Sequence, residues 1–488
     1  MRRLGIISSV IVATLLLVCG LWWLGKATPS ASAQNRQPAP PTATPGSSPN
    51  PQPAPPGSVA YVTQRGESIP LIARHFLSKT SYLTSAELSE AIRKGNGKAG
   101  NAVKAGDTLF IPGILDSPIA EKPIPVDRDF EVRAVYLTGV MAGSEHGLRI
   151  IRRWRELGGN SVVFDVKDSD GILNVPFDYP LGTDRRNHPI PDLPKFARFL
   201  HSQGMHAIAR IAIFRDEHVV ATHPELAVRS RRTGQAWREN GKLVWTDPSN
   251  PKVQDYNIAL ARYVGRSGVD EVQFDYVRFP AEGDQKDAVF AYQKEHPDWH
   301  RTDVITDFLK HAYSELHPEG VLFSLDVFGV MAWQRPVDLA HTGQDIPGMA
   351  RYCDVLSPMI YPSHFFGMDG YARPGDAPEH FIGESMDRFQ LITKDTGVVL
   401  RPWLQAFAWR TKTYSPKYIE VQVSVAKEKG GIGFLFWNAN NNYSRPYDAM
   451  PAMRTAKLFR GDELPSRTAA APDKPVGAHV TPVSAPLP

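Results

Sequence analysis

"VDEVQFDYVRFP", residues 269–280, is the stretch whose reading decides the fold. It opens as a buried β-strand and ends in Asp275, Tyr276 and Arg278 before Pro280 stops it. Strand alternation assigns Val272, Phe274 and Tyr276 to one face, towards packing helices, and Gln273 and Asp275 to the other. An apolar strand that turns polar only at its C-terminal end suits a barrel, whose strands meet functional loops at that end.

Seven further segments have the same strand character: Val132 to Thr138, Ser161 to Asp168, His206 to Phe214, Leu322 to Phe328, Asp354 to Tyr361, Val399 to Phe407 and Gly431 to Trp437, with Asp270 to Val277 the fourth in order. Between them, "EHGLRIIRRWRELGG" (145–159), "RTDVITDFLKHAYSELHPEG" (301–320) and "SPKYIEVQVSVAKEKGG" (415–431) have helical spacing and end in glycine. Eight strands alternating with helices over residues 129–460 predict an α/β protein of the (β/α)8 TIM-barrel type rather than an open sheet. No Gly-x-Gly-x-x-Gly follows the first strand, which argues against a dinucleotide-binding fold.

The chemistry then belongs to the strand ends. Strand five repeats the pattern of strand four, with Phe323, Leu325 and Val327 outward and Ser324 and Asp326 inward. Adjacent strands lie about 4.8 Å apart, so Asp275 and Asp326 are within reach of the carboxyl separation of about 5 to 5.5 Å that retaining glycosidases use. They are the candidate catalytic pair; the structural alternative makes Asp275 a partner of Arg278 or Arg210, and Asp326 an acceptor of loop amides. Strand two directs Asp165 and Lys167 inward, where they pair with each other or hold a sugar hydroxyl. Arg210 interrupts an apolar strand and needs a carboxylate partner if buried. Arg278 is the expected electrostatic neighbour of Asp275. Tyr361, Trp403, Gln405, Trp437 and Asn438 stand at other strand ends and suit sugar rings, with their apolar faces and rims of hydroxyls. His206, His218, His223, His341 and His364 are scattered, with no His-Glu-x-x-His, so no metal site and no cofactor is expected.

Composition and the termini set the location. A net charge of +4 over 488 residues, with no long basic run, implies no nucleic-acid partner. Cys19 and Cys353 form no disulfide framework. Residues 1–27 place Arg2 and Arg3 before an apolar run from Leu4 to Gly25, long enough to span a bilayer, and read as a signal anchor; Ala31-Ser32-Ala33 leaves a cleaved signal peptide as the alternative. Residues 28–57 form a Pro/Ala/Ser-rich linker and residues 461–488 a disordered tail of similar composition. The chain is therefore expected in the bacterial cell envelope, anchored in the inner membrane and facing the periplasm or exterior, or secreted.

Two resemblances add to this reading. Residues 58–114, with Gly66-Glu67-Ser68 opening a helix and Gly106-Asp107-Thr108-Leu109-Phe110-Ile111-Pro112 closing the unit, resemble a LysM module. That implies binding to peptidoglycan or another N-acetylglucosamine polymer, although the stretch from Lys79 to Ser85 is longer than usual. "VRAVYLTG", "NSVVFDVKDSDG", "VDEVQFDYVRFP", "SLDVFG", "LSPMIYPSHF" and "GFLFWNANN" together resemble the putative glycosyl hydrolase domain of bacterial envelope proteins, a barrel similar to the α-amylase-like glycosidase clans. The resemblance implies a nucleophile at Asp275 and an acid/base at Asp326. The clan commonly has Glu at the latter place, which keeps Asp165 and Asp168 in contention. The leading expectation is an envelope glycosidase acting on a polysaccharide such as peptidoglycan or an exopolysaccharide; the alternative is a non-catalytic glycan-binding or scaffolding protein.

Overall fold

A computed structural model describes residues 53–182 and 187–455. The expected membrane segment, cleavage site, most of the linker and the C-terminal tail lie outside these residues. Among the described residues, no helix is long and apolar enough to cross a membrane. The chain divides into two compact units, with the division at Ile114/Leu115 apart from a short excursion at Ser81–Thr84.

The smaller unit pairs the strand Ser58–Val62 antiparallel with Thr108–Pro112, with helices Ile69–Phe76 and Ser85–Gly95 between them in sequence. The first helix buries Ile69, Ile72, Ala73 and Phe76, the face its periodicity predicts. Both polar turns serve structure: Gly66 and Gly106 adopt positive φ, which glycine tolerates at no steric cost. Glu67 then accepts hydrogen bonds from the Tyr61 hydroxyl (2.7 Å) and the Gln64 amide (2.6 Å), while Asp107 accepts from Lys98 Nζ (3.0 Å).

The larger unit contains all eight expected strands: β1 (Val132–Leu137), β2 (Ser161–Lys167), β3 (His206–Ala212), β4 (Glu271–Asp275), β5 (Leu322–Phe328), β6 (Val355–Ile360), β7 (Val399–Leu400 and Trp403–Gln405) and β8 (Gly433–Trp437). Each pairs in parallel with its neighbour, and β8 returns to β1 with Leu435 opposite Ala134, so the sheet closes into a barrel. Closure is tight. A Cβ on Gly433 would stand 2.0 Å from the Val132 carbonyl oxygen, and its φ of +83° is also one that glycine favours. Pro402, which has no N–H for the ladder, falls in the break that divides β7.

The helices that follow the strands in sequence are α1 (Glu145–Glu156), α2 (Leu193–Ser202), α3 (Pro251–Arg266), α4 (Arg301–Leu316), α5 (Pro336–Thr342), α6 (Pro378–Ile392), α7 (Pro416–Glu428) and α8 (Ser444–Thr455). Ser144, Asp192, Asn250 and Ser415 cap α1, α2, α3 and α7 by accepting a hydrogen bond from a first-turn amide. Outward strand residues such as Val272, Phe274, Phe323 and Leu325 join the helices in the main core. Val132, Ala134, Tyr136, Val163, Ile208 and Leu435 form a separate cluster inside the barrel.

Below that interior cluster the barrel holds a buried ion pair. Arg401 donates to Glu271 at 2.7 Å, both side chains are fully enclosed, and His206 lies 3.1 Å from the same carboxylate oxygen. Burial pushes Glu271 up, but Arg401 and His206 outweigh it and bring the carboxyl down to about 2. Arg401→Met is therefore expected to cost roughly 3–5 kcal/mol, because it leaves a buried carboxylate without its cation. Since the folded pKa lies below the ordinary value, this stabilisation is present above about pH 4.3 and is lost as pH falls towards 2. Urea unfolding of both proteins across pH 2–7 checks this: the gap should be widest near neutrality and close in acid.

Candidate active site

At the C-terminal mouth, β2, β3, β4 and β5 bring three acids to one guanidinium. Arg210 of β3 donates through Nη2 to Asp275 Oδ2 at 2.5 Å and through Nη1 to Asp165 Oδ1 at 2.5 Å, and its Nε lies 3.7 Å from Asp326 Oδ2. The Tyr136 hydroxyl donates to the second oxygen of Asp165, and Trp403 Nε1 donates to Asp326 Oδ1 at 2.6 Å. Asp275 is the most open of the three acids, at 7% exposure against 1% for Asp326 and none for Asp165.

One cation faces three carboxyl groups, so burial and mutual repulsion act on their proton affinity. Burial pushes Asp326 well above its ordinary range and the neighbouring Asp275 adds to this; its Oδ2 has no hydrogen-bond partner among the described residues. Burial pushes Asp165 up to about 7, against the pull of Arg210. Asp275 takes two direct contacts from Arg210, with Nε at 3.2 Å as well as Nη2. The arrangement thus sets the arginine-bound Asp275 beside an acid whose burial favours its protonated form, and acid-assisted displacement needs two such groups.

The chain turns sharply after Asp275. Tyr276 adopts φ +55°, a region that costs a bulky residue on the order of 1–3 kcal/mol, and its amide donates to Asp275 Oδ1 at 2.5 Å. The strand ends here, and Tyr276 still packs partly against the outer core, with Trp245 5.9 Å from its ring. Its ring also lies beside Arg215 and Arg278, whose guanidinium carbons are 5.3 and 5.5 Å from the ring centre.

On the opposite side, Tyr361 stacks on Trp437 with centroids 5.7 Å apart, and Phe407 meets both rings edge-on. Trp437 and Phe407 are partly exposed, so this cluster offers apolar faces at the mouth. Burial, reinforced by Asp326 and Asp275, pushes the Tyr361 hydroxyl up, which keeps it a hydrogen-bond donor.

Several expected site residues have other duties. A register irregularity between Asp165 and Lys167 turns Lys167 out of the barrel, where it donates to Asp216 (3.0 Å) and Asn257 (2.8 Å) rather than meeting Asp165. Gln405 is fully buried: it accepts from the Ser363 amide and donates to the Phe407 carbonyl and Thr411. Asn438 donates to the Ala406 carbonyl and accepts from the amides of Asn440 and Asn442, shaping its own loop. Trp403 is spent on orienting Asp326. Arg278 makes no ion pair with Asp275; it lies 4.6 Å from the ring centre of Trp245 and 4.5 Å from that of Phe328. Sequence reasoning missed Tyr136 as the donor to Asp165, although its place two residues beyond inward Ala134 on β1 carried the signal. Phe407 closed the expected seventh strand without being named as a site residue, and Trp245 lay outside the expected strands.

Comparison with known proteins matches residues 134–443 to the family described as "Putative glycosyl hydrolase domain". No curated protein matches. Solved structures that resemble the chain include a hypothetical protein from Ruminiclostridium thermocellum ATCC 27405, 32% identical, with 40% of this chain and 97% of that chain covered and a TM-score of 0.34. The glycoside hydrolase domain of PgaB (BpsB) from Bordetella bronchiseptica is 17% identical, with 67% and 98% covered and a TM-score of 0.49. The spore cortex-lytic enzyme SleL from Bacillus megaterium QM B1551 is 11% identical, with 82% and 86% covered and a TM-score of 0.41.

Proposed function

Since the chain belongs to the family described as "Putative glycosyl hydrolase domain", we propose that it is an envelope glycosidase that cleaves a polysaccharide with retention, with Asp275 as nucleophile and Asp326 as acid/base. The observation that carries this reading is the convergence of three acids on Arg210, with Asp275 bound to it directly and Asp326 enclosed beside it. Arg210 Nε lies 3.2 Å from Asp275 Oδ2 and 3.7 Å from Asp326 Oδ2, so those oxygens are separated by no more than the sum of the two lengths. That ceiling for the two facing oxygens is compatible with the carboxyl spacing of about 5 to 5.5 Å of retaining pairs.

In the first step an Asp275 oxygen bonds to the anomeric carbon while the bond to the leaving oxygen breaks and Asp326 supplies the proton. In the second, water attacks the glycosyl ester, gives its proton to Asp326, and Asp275 leaves as carboxylate. The face formed by Phe407 and Trp437 supports a sugar ring beside the reacting one. A second assignment of the acid has its own observation: Asp168, at the end of β2, is partly exposed, whereas Asp326 Oδ2 is enclosed. The smaller unit, through its LysM resemblance, holds the enzyme on an N-acetylglucosamine polymer such as peptidoglycan, and residues 1–27 tether it to the inner membrane.

The test is a glycan panel of peptidoglycan strands, N-acetylglucosamine polymers and acidic exopolysaccharides, scored for new reducing ends. Binding without any release of reducing ends would favour the non-catalytic alternative. A covalent adduct on Asp275 from an activated 2-fluoro sugar would establish retention.

A further inference from the structure

Beside Asp275 stand two arginines that the proposed reaction does not use. Arg278 is only 9% exposed, and its guanidinium is held over the rings of Trp245, Phe328 and Tyr276. Its hydrogen bond is from Nη1 to the Phe279 carbonyl at 3.0 Å, so most of its N–H donors have no protein acceptor. Arg215, half-buried, lies across the same Tyr276 ring and donates to its hydroxyl at 3.0 Å. Neither forms an ion pair among the described residues.

The neighbouring acids are committed elsewhere. Asp275 belongs to Arg210, Glu239 accepts from Trp245 Nε1 and from the amides of Ala281 and Glu282, and Glu282 accepts from Asn240. Burial outweighs the favourable charges of Glu239 and Asp275 and draws Arg278 below its ordinary pKa, as fits a guanidinium with no direct ion pair. Two neighbouring arginines against one ring, with rings fixing the plane of one fork, form a ready receptor for a planar anion.

We propose that Arg278 and Arg215 form a subsite for a carboxylate on the glycan next to the sugar attacked by Asp275, so that the preferred substrate is an acidic polysaccharide. The carboxylate belongs either to a uronic acid or to the lactyl ether of a muramic acid residue; both present the same group to the two forks. The choice of sugar attacked rests on the glycosidase reading, but recognition of the anion does not.

The experiment measures binding by the full chain to peptide-free peptidoglycan strands and to a polymer alternating N-acetylglucosamine with glucuronate. Each is compared with the same polymer after its carboxyls are reduced to alcohols. Wild type should bind one carboxylated polymer at least about tenfold more tightly than its reduced form, as expected for a charged hydrogen-bonded pair. Whichever polymer shows the preference identifies the source of the carboxylate. Arg278→Met should bring that ratio close to one, Arg278→Lys should keep part of it, and Arg215→Met provides the same test should the buried variant fail to fold. A ratio of one for wild type on both polymers, or a preference that survives both methionine variants, overturns the proposal. Since binding is read without turnover, a preference with no reducing ends released sinks the glycosidase reading and leaves the subsite standing.

Discussion

Asp275→Asn should reduce glycan cleavage by on the order of 10³-fold or more, while the barrel remains folded. The amide is nearly isosteric, and its oxygen still accepts from the Tyr276 amide, so the strained turn after β4 keeps its anchor. Arg210 keeps Asp165 as a counter-ion. What disappears is the most open of the three acids in the cluster, and with it the atom that would bond to the anomeric carbon. Reducing-end assays, together with a thermal melt of the variant, separate lost chemistry from lost fold. A variant that melts like wild type and cleaves at the wild-type rate would remove Asp275 from the mechanism.

Asp326→Asn should slow cleavage of a natural glycosidic bond by about 10²–10⁴-fold, the range for loss of a positioned acid. The same variant should be far less impaired on an aryl glycoside, whose leaving group departs without a proton. Its pH profile supplies a second signature. Burial and the nearby Asp275 push the Asp326 carboxyl up, and the active form is protonated, so wild-type kcat/KM should fall as pH rises through that raised pKa. The variant should lack that alkaline limb. Linkage has the same direction: stability from the neutral buried acid is fully present below its ordinary pKa and is lost as pH rises through the folded one. Asp326→Asn should therefore resist alkaline unfolding better than wild type, which excludes unfolding as the cause of inactivity. If Asp168→Asn, and not Asp326→Asn, shows the dependence on the leaving group, the acid is Asp168.

The legible part of this protein was periodic. Alternation in "VQFD" and "FSLDVF" told inward from outward, and the structure has Phe274 and Phe323 packed ring to ring at 4.7 Å outside the barrel, with Asp275 and Asp326 near one Arg210 inside it. Where alternation broke, the reading broke with it. Lys167 follows a register shift that no residue type announces, and the left-handed backbone at Tyr276 has no signature in the alternation, although its ring still meets the outer core. Gln405 and Asn438 have the composition of sugar-binding residues, yet their hydrogen-bonding capacity is consumed by loops that their own sequences do not specify.

The chain by itself thus determined which segments become strands, their order, and which carboxylates face the barrel axis, because side-chain direction in a strand is a local, period-two property. Only the closed barrel decided how charge is shared. Arg210 and Asp275 are 65 residues apart, Arg401 and Glu271 are 130 apart, and the paths between them say nothing about which cation meets which acid. Burial then settles who keeps a proton: an acid's pKa depends on the water it loses and the charges it meets, and both are properties of packing rather than of sequence.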